Sequence, residues 1–94
     1  ENGAAYDDVV GEDGLVHGAD RTEFLELHLS AILDAIELGV PVHGYFYWSL
    51  MDNYEWAWGY DKRFGIVRVD YDTLERSPKD SARAYARIIS GRTL

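Results

Sequence analysis

The sequence predicts an α/β protein, and two neighbouring segments of the chain carry that prediction. Acidic and apolar side chains recur at steps of three and four over about 20–38, which is typical of an amphipathic helix. A very short turn separates this helix from VHGYFYWSL (42–50), which is rich in β-forming residues and apolar on both faces of its alternation. A helix, a short turn and a strand buried on both sides form the second half of a βαβ unit, so we expect a parallel sheet.

Capping signals define the ends of the first helix. Asp20 and Glu23 have the spacing of a capping pair at its start. Gly39, followed by Pro41, is expected to end it, because glycine accepts the left-handed conformation that closes many helices.

The remaining chain predicts a hairpin and a second helix. GIVRVDYDTLERS (65–77) alternates on either side of Asp72-Thr73, as two short antiparallel strands would. SPKD (77–80) combines an N-cap serine, a proline at the first helical position and an acid in the first turn. We therefore expect a helix over about 78–90.

These elements do not close a parallel sheet by themselves. The opening 20 residues contain many turn formers and no clear periodicity, and loops of that length are usually functional or disordered. A strand buried on both sides needs neighbours, and two helices with one hairpin do not supply them. We expect the chain to be incomplete on its own and to form part of a larger fold.

Composition limits the classes of partner and compartment. The 94 residues carry a formal net charge of −8, which disfavours nucleic acid as a partner. No segment has the length and apolarity of a membrane span, so we expect no membrane partner. The absence of cysteine fits a reducing compartment, and we expect a cytoplasmic protein, with secretion left open.

Aromatic and acidic residues meet at the end of the predicted strand, where α/β sheets place their ligands. Trp48 lies near that end, and Glu55 and Trp56 follow seven and eight positions later. A flat indole suits the apolar face of a pyranose ring, and a carboxylate accepts hydrogen bonds from its paired hydroxyls. This pattern favours a sugar site. The alternative is that both indoles belong to a core and Glu55 is a surface acid.

Four stretches together resemble the C-terminal portion of family 1 glycoside hydrolases, the β-glucosidase family. GYFYWSLMDNYEWAWGYDKRFGIVRVDY (44–71) matches that family's C-terminal signature, and ENG (1–3) matches the end of its Thr-Glu-Asn-Gly motif. The helix with Asp20 and RSPKDS (76–81) also match in order and spacing. The resemblance covers nearly all of the chain and is weakest over 4–17.

The resemblance implies that residues 1–94 are the C-terminal segment of one catalytic domain, the last quarter of a (β/α)8 barrel. Glu1 would end the seventh strand, 20–38 would be the seventh helix and 42–49 the eighth strand. The loop that follows, 50–77, would hold the hairpin, and the last helix would be the eighth. The remainder of the barrel would come from a preceding portion or from another chain.

The implied activity is hydrolysis of β-glycosides with retention of configuration and without a metal or cofactor. Glu1 matches the nucleophile that forms a covalent glycosyl-enzyme. The acid/base glutamate belongs to an Asn-Glu-Pro stretch that the 94 residues do not contain. A retaining enzyme needs both carboxyls, about 5–5.5 Å apart, so we expect the segment alone to be inactive.

The resemblance also implies the subsite for the glycone. Trp48 would form the platform under the ring, and Glu55 would accept hydrogen bonds from O4 and O6. Trp56 would reach O3, and Phe64 would line the same subsite. Relatives that cleave 6-phosphoglycosides replace the position of Glu55 by a small hydroxyl residue, because a carboxylate repels phosphate. We therefore expect a β-glucoside or short cello-oligosaccharide with an unphosphorylated glycone.

Other residues near these motifs carry weaker interpretations. Asn2 is either a turn former or a ligand contact, and His28 on the apolar helix face is expected to be a satisfied buried histidine. Asp52 and Arg63 are expected to be structural. Two other classes stay open: a non-catalytic carbohydrate-binding module, and a small structural domain whose aromatics are core. Glu1 favours the enzyme, because binding alone needs no nucleophile.

Overall fold

The computed structural model describes residues 1–91, in which two helices pack against each other beside a short antiparallel hairpin. A single 3₁₀ turn, Trp56–Trp58, interrupts the long segment between the first helix and the hairpin. The helices and strands lie in the following order: α1 (Ala19–Glu37), β1 (Val67–Val69), β2 (Arg76–Pro78) and α2 (Asp80–Gly91).

Helix α1 lies within a residue of its predicted span but begins with a different cap. Gly18, with φ 46°, is the N-cap and no side chain caps the helix, so the predicted Asp20–Glu23 pair is wrong. The carboxylate of Asp20 instead accepts a hydrogen bond from the backbone N–H of Arg21 at 2.9 Å. The predicted end is confirmed, because Gly39 has φ 92° and its N–H donates to the carbonyl of Ile36.

The predicted hairpin is confirmed, and its pairing moves the start of α2. Val67 pairs with Pro78 and Arg68 with Ser77, which keeps both partners extended. Helix α2 therefore begins at Asp80, and the prediction of Ser77 as N-cap with Pro78 in the first turn is wrong.

The segment predicted as a doubly buried strand, 42–50, does not form a strand in the structure. Asn2 and Tyr47 make one isolated parallel bridge, in which Trp48 N–H donates to the carbonyl of Asn2 at 2.8 Å. Phe46 is 76% exposed and Leu50 is 65% exposed, so burial on both faces is also wrong. A ladder needs several successive pairs, and within residues 1–91 the short ENG stretch offers this edge only one.

The interior between the helices and the loops combines a few apolar side chains with buried charges. Its apolar members are Val16, Leu25, Ile66, Val69 and Ala84. The charged members form a network, which we call the buried charge network and define as Asp8, Arg21, Asp52, Arg63 and Lys79. Arg63 is partly exposed, and the other four are buried.

Lys79 is the centre of the buried charge network. Its Nζ donates to Asp8 Oδ2 at 2.6 Å, to Asp52 Oδ1 at 2.9 Å and to the carbonyl of Gly65 at 2.6 Å. Three acceptors around one nitrogen match the three hydrogens of an ammonium group. Arg21 reaches Asp8 from the other side, with Nη2 donating to Oδ2 at 2.6 Å. The network thus joins the first loop, α1, the segment before β1 and the residue that directly precedes α2.

A second, exposed cluster ties the first loop to α2. The ring of His17 contacts the carboxylates of Asp13 and Asp80, each at 2.7 Å. The hydrogen bond to Asp13, followed by that to Asp80, raises the pKa of His17 above its ordinary value.

Candidate functional site

One open pocket of about 610 Å³ brings all five predicted site residues together. Its lining consists of Glu1, Asn2, Gly3, Trp48, Glu55, Trp56 and Phe64. These residues come from four separate stretches of the chain, so their meeting is a property of the fold.

Backbone contact between ENG and the segment before Ser49 sets Glu1 beside Trp48. The N–H of Asn2 donates to the carbonyl of Phe46 at 3.1 Å, and the N–H of Trp48 donates to the carbonyl of Asn2 at 2.8 Å. A Cβ on Gly3 would lie 1.9 Å from the carbonyl oxygen of Trp48, so only glycine permits this approach. The peptide bond between Trp48 and Ser49 is cis.

The side chain of Asn2 connects the pocket to helix α1. Its Nδ2 lies 3.0 Å from His28 Nδ1, and its Oδ1 accepts a hydrogen bond from the Tyr45 hydroxyl at 2.9 Å. An amide donor requires an unprotonated Nδ1 on the imidazole. Asn2 therefore braces the backbone next to Glu1, a role beyond that of a turn former. His28 is hydrogen-bonded as expected but is exposed, so the prediction of burial is wrong.

Glu55 and Trp56 lie on a tight five-residue loop, Glu55–Gly59. Glu55 N–H donates to the carbonyl of Gly59 at 2.7 Å, and Gly59 N–H donates to that of Trp56 at 3.1 Å. Trp56 has φ 45°, a left-handed conformation that is costly for a bulky residue. Across the pocket, Trp48 Nε1 lies 3.3 Å from Glu55 Oε2, a long hydrogen bond in which the indole donates.

Phe64 is placed by its backbone. Its carbonyl accepts hydrogen bonds from Ser49 N–H at 3.0 Å and from Arg21 Nη1 at 3.1 Å. The neighbouring carbonyl of Arg63 accepts from Arg21 Nη2 at 2.8 Å. The wall of the pocket that carries Phe64 is therefore fastened to the buried charge network.

The buried charge network contains both predicted and unpredicted residues. Asp52 holds loop backbone as expected, accepting from Gly65 N–H at 3.1 Å and Val69 N–H at 3.3 Å. Burial opposes its ionisation, but its hydrogen bonds and its attraction to Lys79 and Arg63 outweigh burial and lower the pKa of Asp52. In Lys79 the loss of hydration dominates and lowers the pKa of the ammonium, whose three acceptors nevertheless hold it in the charged geometry.

Chemically, the pocket offers two carboxylates and two indoles around a space open to solvent. The two indoles are well exposed, Trp48 by 38% and Trp56 by 80%, so their faces are free to contact a ligand. Among residues 1–91, no three His, Asp or Glu side chains converge as ligands for a metal ion. No helix in the same range is long and apolar enough to cross a membrane.

Comparison with known proteins assigns the chain to a class of carbohydrate-active enzymes. The model of glycosyl hydrolase family 1 matches residues 1–93. The chain belongs to glycosyl hydrolase family 1.

Among curated relatives, β-glucosidase A of Thermotoga maritima is 54% identical over 94 residues, covering 100% of this chain and 21% of the relative. A bifunctional β-D-glucosidase/β-D-fucosidase of Bifidobacterium breve is 54% identical, covering 96% of this chain and 20% of the relative. A 6-phospho-β-galactosidase of Staphylococcus epidermidis is 45% identical, covering 100% of this chain and 20% of the relative. The chain thus spans about a fifth of the length of the curated relatives it matches.

The solved structure of a family 1 β-glucosidase from Thermotoga maritima superimposes with a TM-score of 0.96 at 54% identity. The superposition covers 99% of this chain and 21% of that one. Other structures of the Thermotoga maritima enzyme are complexes with castanospermine and with deoxynojirimycin. The structural neighbours are TIM-barrel enzymes, so this chain has the fold of part of a barrel.

Proposed function

We propose that residues 1–94 are the C-terminal segment of a single (β/α)8 catalytic domain in a retaining β-glucosidase. In this assignment α1 is the seventh barrel helix, 42–49 occupies the place of the eighth strand and α2 is the eighth helix. Residues 50–77 are the loop after that strand. The remainder of the barrel supplies the neighbours that 42–49 lacks within residues 1–91.

The observation that carries the proposal is that Glu1 lies in the same pocket as Trp48, Glu55, Trp56 and Phe64. A glycone stacked on Trp48 would present its hydroxyls to Glu55 and Trp56. Binding alone would require only these side chains. The carboxylate of Glu1 adds a nucleophile to the binding surface, which favours a hydrolase over a carbohydrate-binding module.

The proposed reaction has two displacements. The Glu1 carboxylate attacks the anomeric carbon, and the bond to the leaving oxygen breaks as that oxygen takes a proton from an acid elsewhere in the barrel. Water, deprotonated by the same group, then attacks the glycosyl-enzyme and releases glucose with its configuration retained. The 94 residues supply the nucleophile without its partner acid, so the segment alone is inactive.

A chimaera provides the test of the nucleophile. The 94 residues replace the matching fifth of Thermotoga maritima β-glucosidase A, and the product is treated with a 2-deoxy-2-fluoroglucoside that traps the glycosyl-enzyme. Mass spectrometry should find the label on Glu1, and the Glu1→Gln variant should take up none. Label on another residue, or a chimaera that folds without hydrolysing β-glucosides, would overturn the assignment.

The same chimaera tests the substrate class through Glu55. Two hydrogen bonds to a charged group contribute about 1.5–3 kcal/mol each, so Glu55→Ser should lower kcat/KM for a β-glucoside about 10²–10⁴-fold. Turnover of a 6-phospho-β-glucoside should rise relative to the glucoside, because a repelling carboxylate is gone. Asp61→Ser, which removes an exposed acid from the same region, is the control and should leave both substrates unchanged. If the two substitutions had equal effects, the proposal that Glu55 binds the substrate would be refuted.

A further inference from the structure

The Glu55–Gly59 loop carries two pocket residues, yet its position is not fixed by burial. None of its residues is buried, and Trp56 and Trp58 are 80% and 62% exposed. Its backbone hydrogen bonds close the loop on itself, and the one that leaves it, from Asp61 N–H to the carbonyl of Trp58 at 3.2 Å, reaches only two residues beyond its end. Since Trp56 also holds a costly left-handed backbone, the loop needs support from outside.

Three tyrosine rings supply contacts at the base of this loop, and we call them the tyrosine clasp: Tyr54, Tyr60 and Tyr71. Tyr54 directly precedes the loop and Tyr60 directly follows it. Their ring centroids lie 5.4 Å apart at an interplanar angle of 74°, an edge-to-face contact that joins the two ends. Tyr60 in turn contacts Tyr71, with centroids 4.7 Å apart and planes at 57°.

Beyond the clasp, the contacts continue into the interior. The guanidinium of Arg63 lies 4.6 Å from the centroid of the Tyr71 ring. Arg63 Nη1 donates to Asp52 and to the carbonyl of Val69, the latter at 2.9 Å. An unbroken series of contacts therefore runs from the exposed loop through Tyr71 to the buried charge network.

We propose that the tyrosine clasp positions Glu55 and Trp56 and thereby sets how strongly the site discriminates among glycones. Tyr54 and Tyr60 act as positioning residues, because the clasp fixes the loop and the loop's own side chains meet the sugar. The inference rests on the proposed function, in which Glu55 faces the edge of the glycone that bears the hydroxymethyl group. Loss of the clasp leaves Glu1, Trp48 and Phe64 in place and loosens only one side of the pocket.

The test compares Tyr60→Leu with Tyr60→Phe in the chimaera, on a β-glucoside and on a β-xyloside that lacks the hydroxymethyl group. Tyr60→Leu loses both ring contacts and should lower kcat/KM for the glucoside about tenfold, with a smaller loss for the xyloside. Tyr60→Phe keeps the ring and should behave as the parent. A general loss of structure would lower both substrates equally, and that result would overturn the proposal.

A double-mutant cycle shows whether the clasp acts through Glu55. In a Glu55→Ser background, Tyr60→Leu should cost far less on the glucoside than it does alone. Additive effects would contradict the proposal. If Tyr60→Leu does not fold, Tyr54→Leu removes one contact and leaves Tyr60 on Tyr71, so it can stand in the same cycle.

Hydrogen exchange separates a failure of the clasp from a failure of the proposed function. Amides of Glu55–Gly59 should exchange faster in Tyr60→Leu than in Tyr60→Phe, while those of α1 stay unchanged. This measurement needs no substrate, so it holds even if the parent chimaera does not hydrolyse glucosides. Unchanged exchange in the loop would refute the clasp whatever the activity.

Discussion

Replacing Lys79 by methionine should strongly destabilise the protein, although it removes no pocket residue. Lys79 is only 1% exposed, and its ammonium donates to two carboxylates and to the Gly65 carbonyl, all within 2.9 Å. Methionine has a similar length but no donor, so Asp8 and Asp52, which are both buried, would lose a shared cation.

The size of the effect follows from the partners that remain. Removing one member of a buried ion pair costs about 3–5 kcal/mol, because the other charge is left uncompensated. Here Asp8 keeps Arg21 and Asp52 keeps Arg63, so neither carboxylate becomes isolated. We therefore expect the lower end of that range, about 3 kcal/mol.

The assay is equilibrium unfolding of the chimaera in urea, read as a change in midpoint at constant slope. Lys62→Met is the control, because Lys62 is exposed and contacts the Trp58 ring at 5.6 Å without an ion pair in residues 1–91. It should change stability by less than about 0.5 kcal/mol. If Lys79→Met is as stable as Lys62→Met, the buried charge network does not stabilise the fold as argued.

Acid should reduce the difference between Lys79→Met and the parent. The folded pKa of Asp52 is lowered, so the stability this carboxylate contributes is present above its unfolded pKa of about 3.9. That contribution is lost as pH falls through the lowered folded value. The gap between the two urea midpoints should therefore narrow below about pH 4, and a constant gap would contradict the sign of the shift.

Two further predictions concern other parts of the fold. The hydrogen bonds of His17 to Asp13 and Asp80 raise its folded pKa, so the stability they add is complete below its unfolded pKa of about 6.5 and is lost as pH rises through the raised value. The urea midpoint of His17→Gln should thus lie below that of the parent at pH 6 and approach it in alkali, whereas a pH-independent gap would contradict this. Gly65→Ala should cost about 3 kcal/mol, the upper end of the range for overpacking, because its Cβ would overlap the backbone nitrogen of Asp52. Gly44→Ala, whose Cβ would meet nothing closer than 3.9 Å, should be nearly neutral in the same unfolding measurement, and equal losses at the two positions would refute the steric argument.

The helices and hairpin could be predicted because their signals are local. Periodicity over about 20–38 placed α1 within a residue at each end, and the alternation on either side of Asp72-Thr73 gave the hairpin. The caps were less predictable, since pairing with β1 holds Ser77 and Pro78 extended and delays α2. The prediction of a strand over 42–50 was wrong because a strand also needs partners. The composition of 42–50 is typical of a strand, but residues 1–91 do not contain the neighbouring strands.

The site residues were predicted by their match to family motifs, and the structure brings all five into one pocket. Their support was not predictable from spacing. Asp8 and Lys79 lie 71 positions apart in the sequence, and Lys79 donates a hydrogen bond of 2.6 Å to Asp8. No local sequence pattern predicts a contact between residues so far apart. The sequence contained one sign of the contact between Asn2 and His28, which was a polar ring on the apolar face of the helix. It did not indicate that Asn2 would be the partner of that ring.

The order in which the chain is synthesised gives the buried charge network a consequence for how the pocket is completed. Asp8, Arg21, Asp52 and Arg63 all emerge from the ribosome before Lys79, so each carboxylate has one cation before the ammonium that both share is made. Arg21 already holds the carbonyls of Arg63 and Phe64, and the Gly65 carbonyl next to this wall gains its contact when Lys79 is in place. A product truncated within the hairpin keeps every pocket residue in its sequence but lacks the contacts of Lys79 with Asp8, Asp52 and Gly65. The network thus couples the complete set of contacts beneath the pocket to synthesis through Lys79.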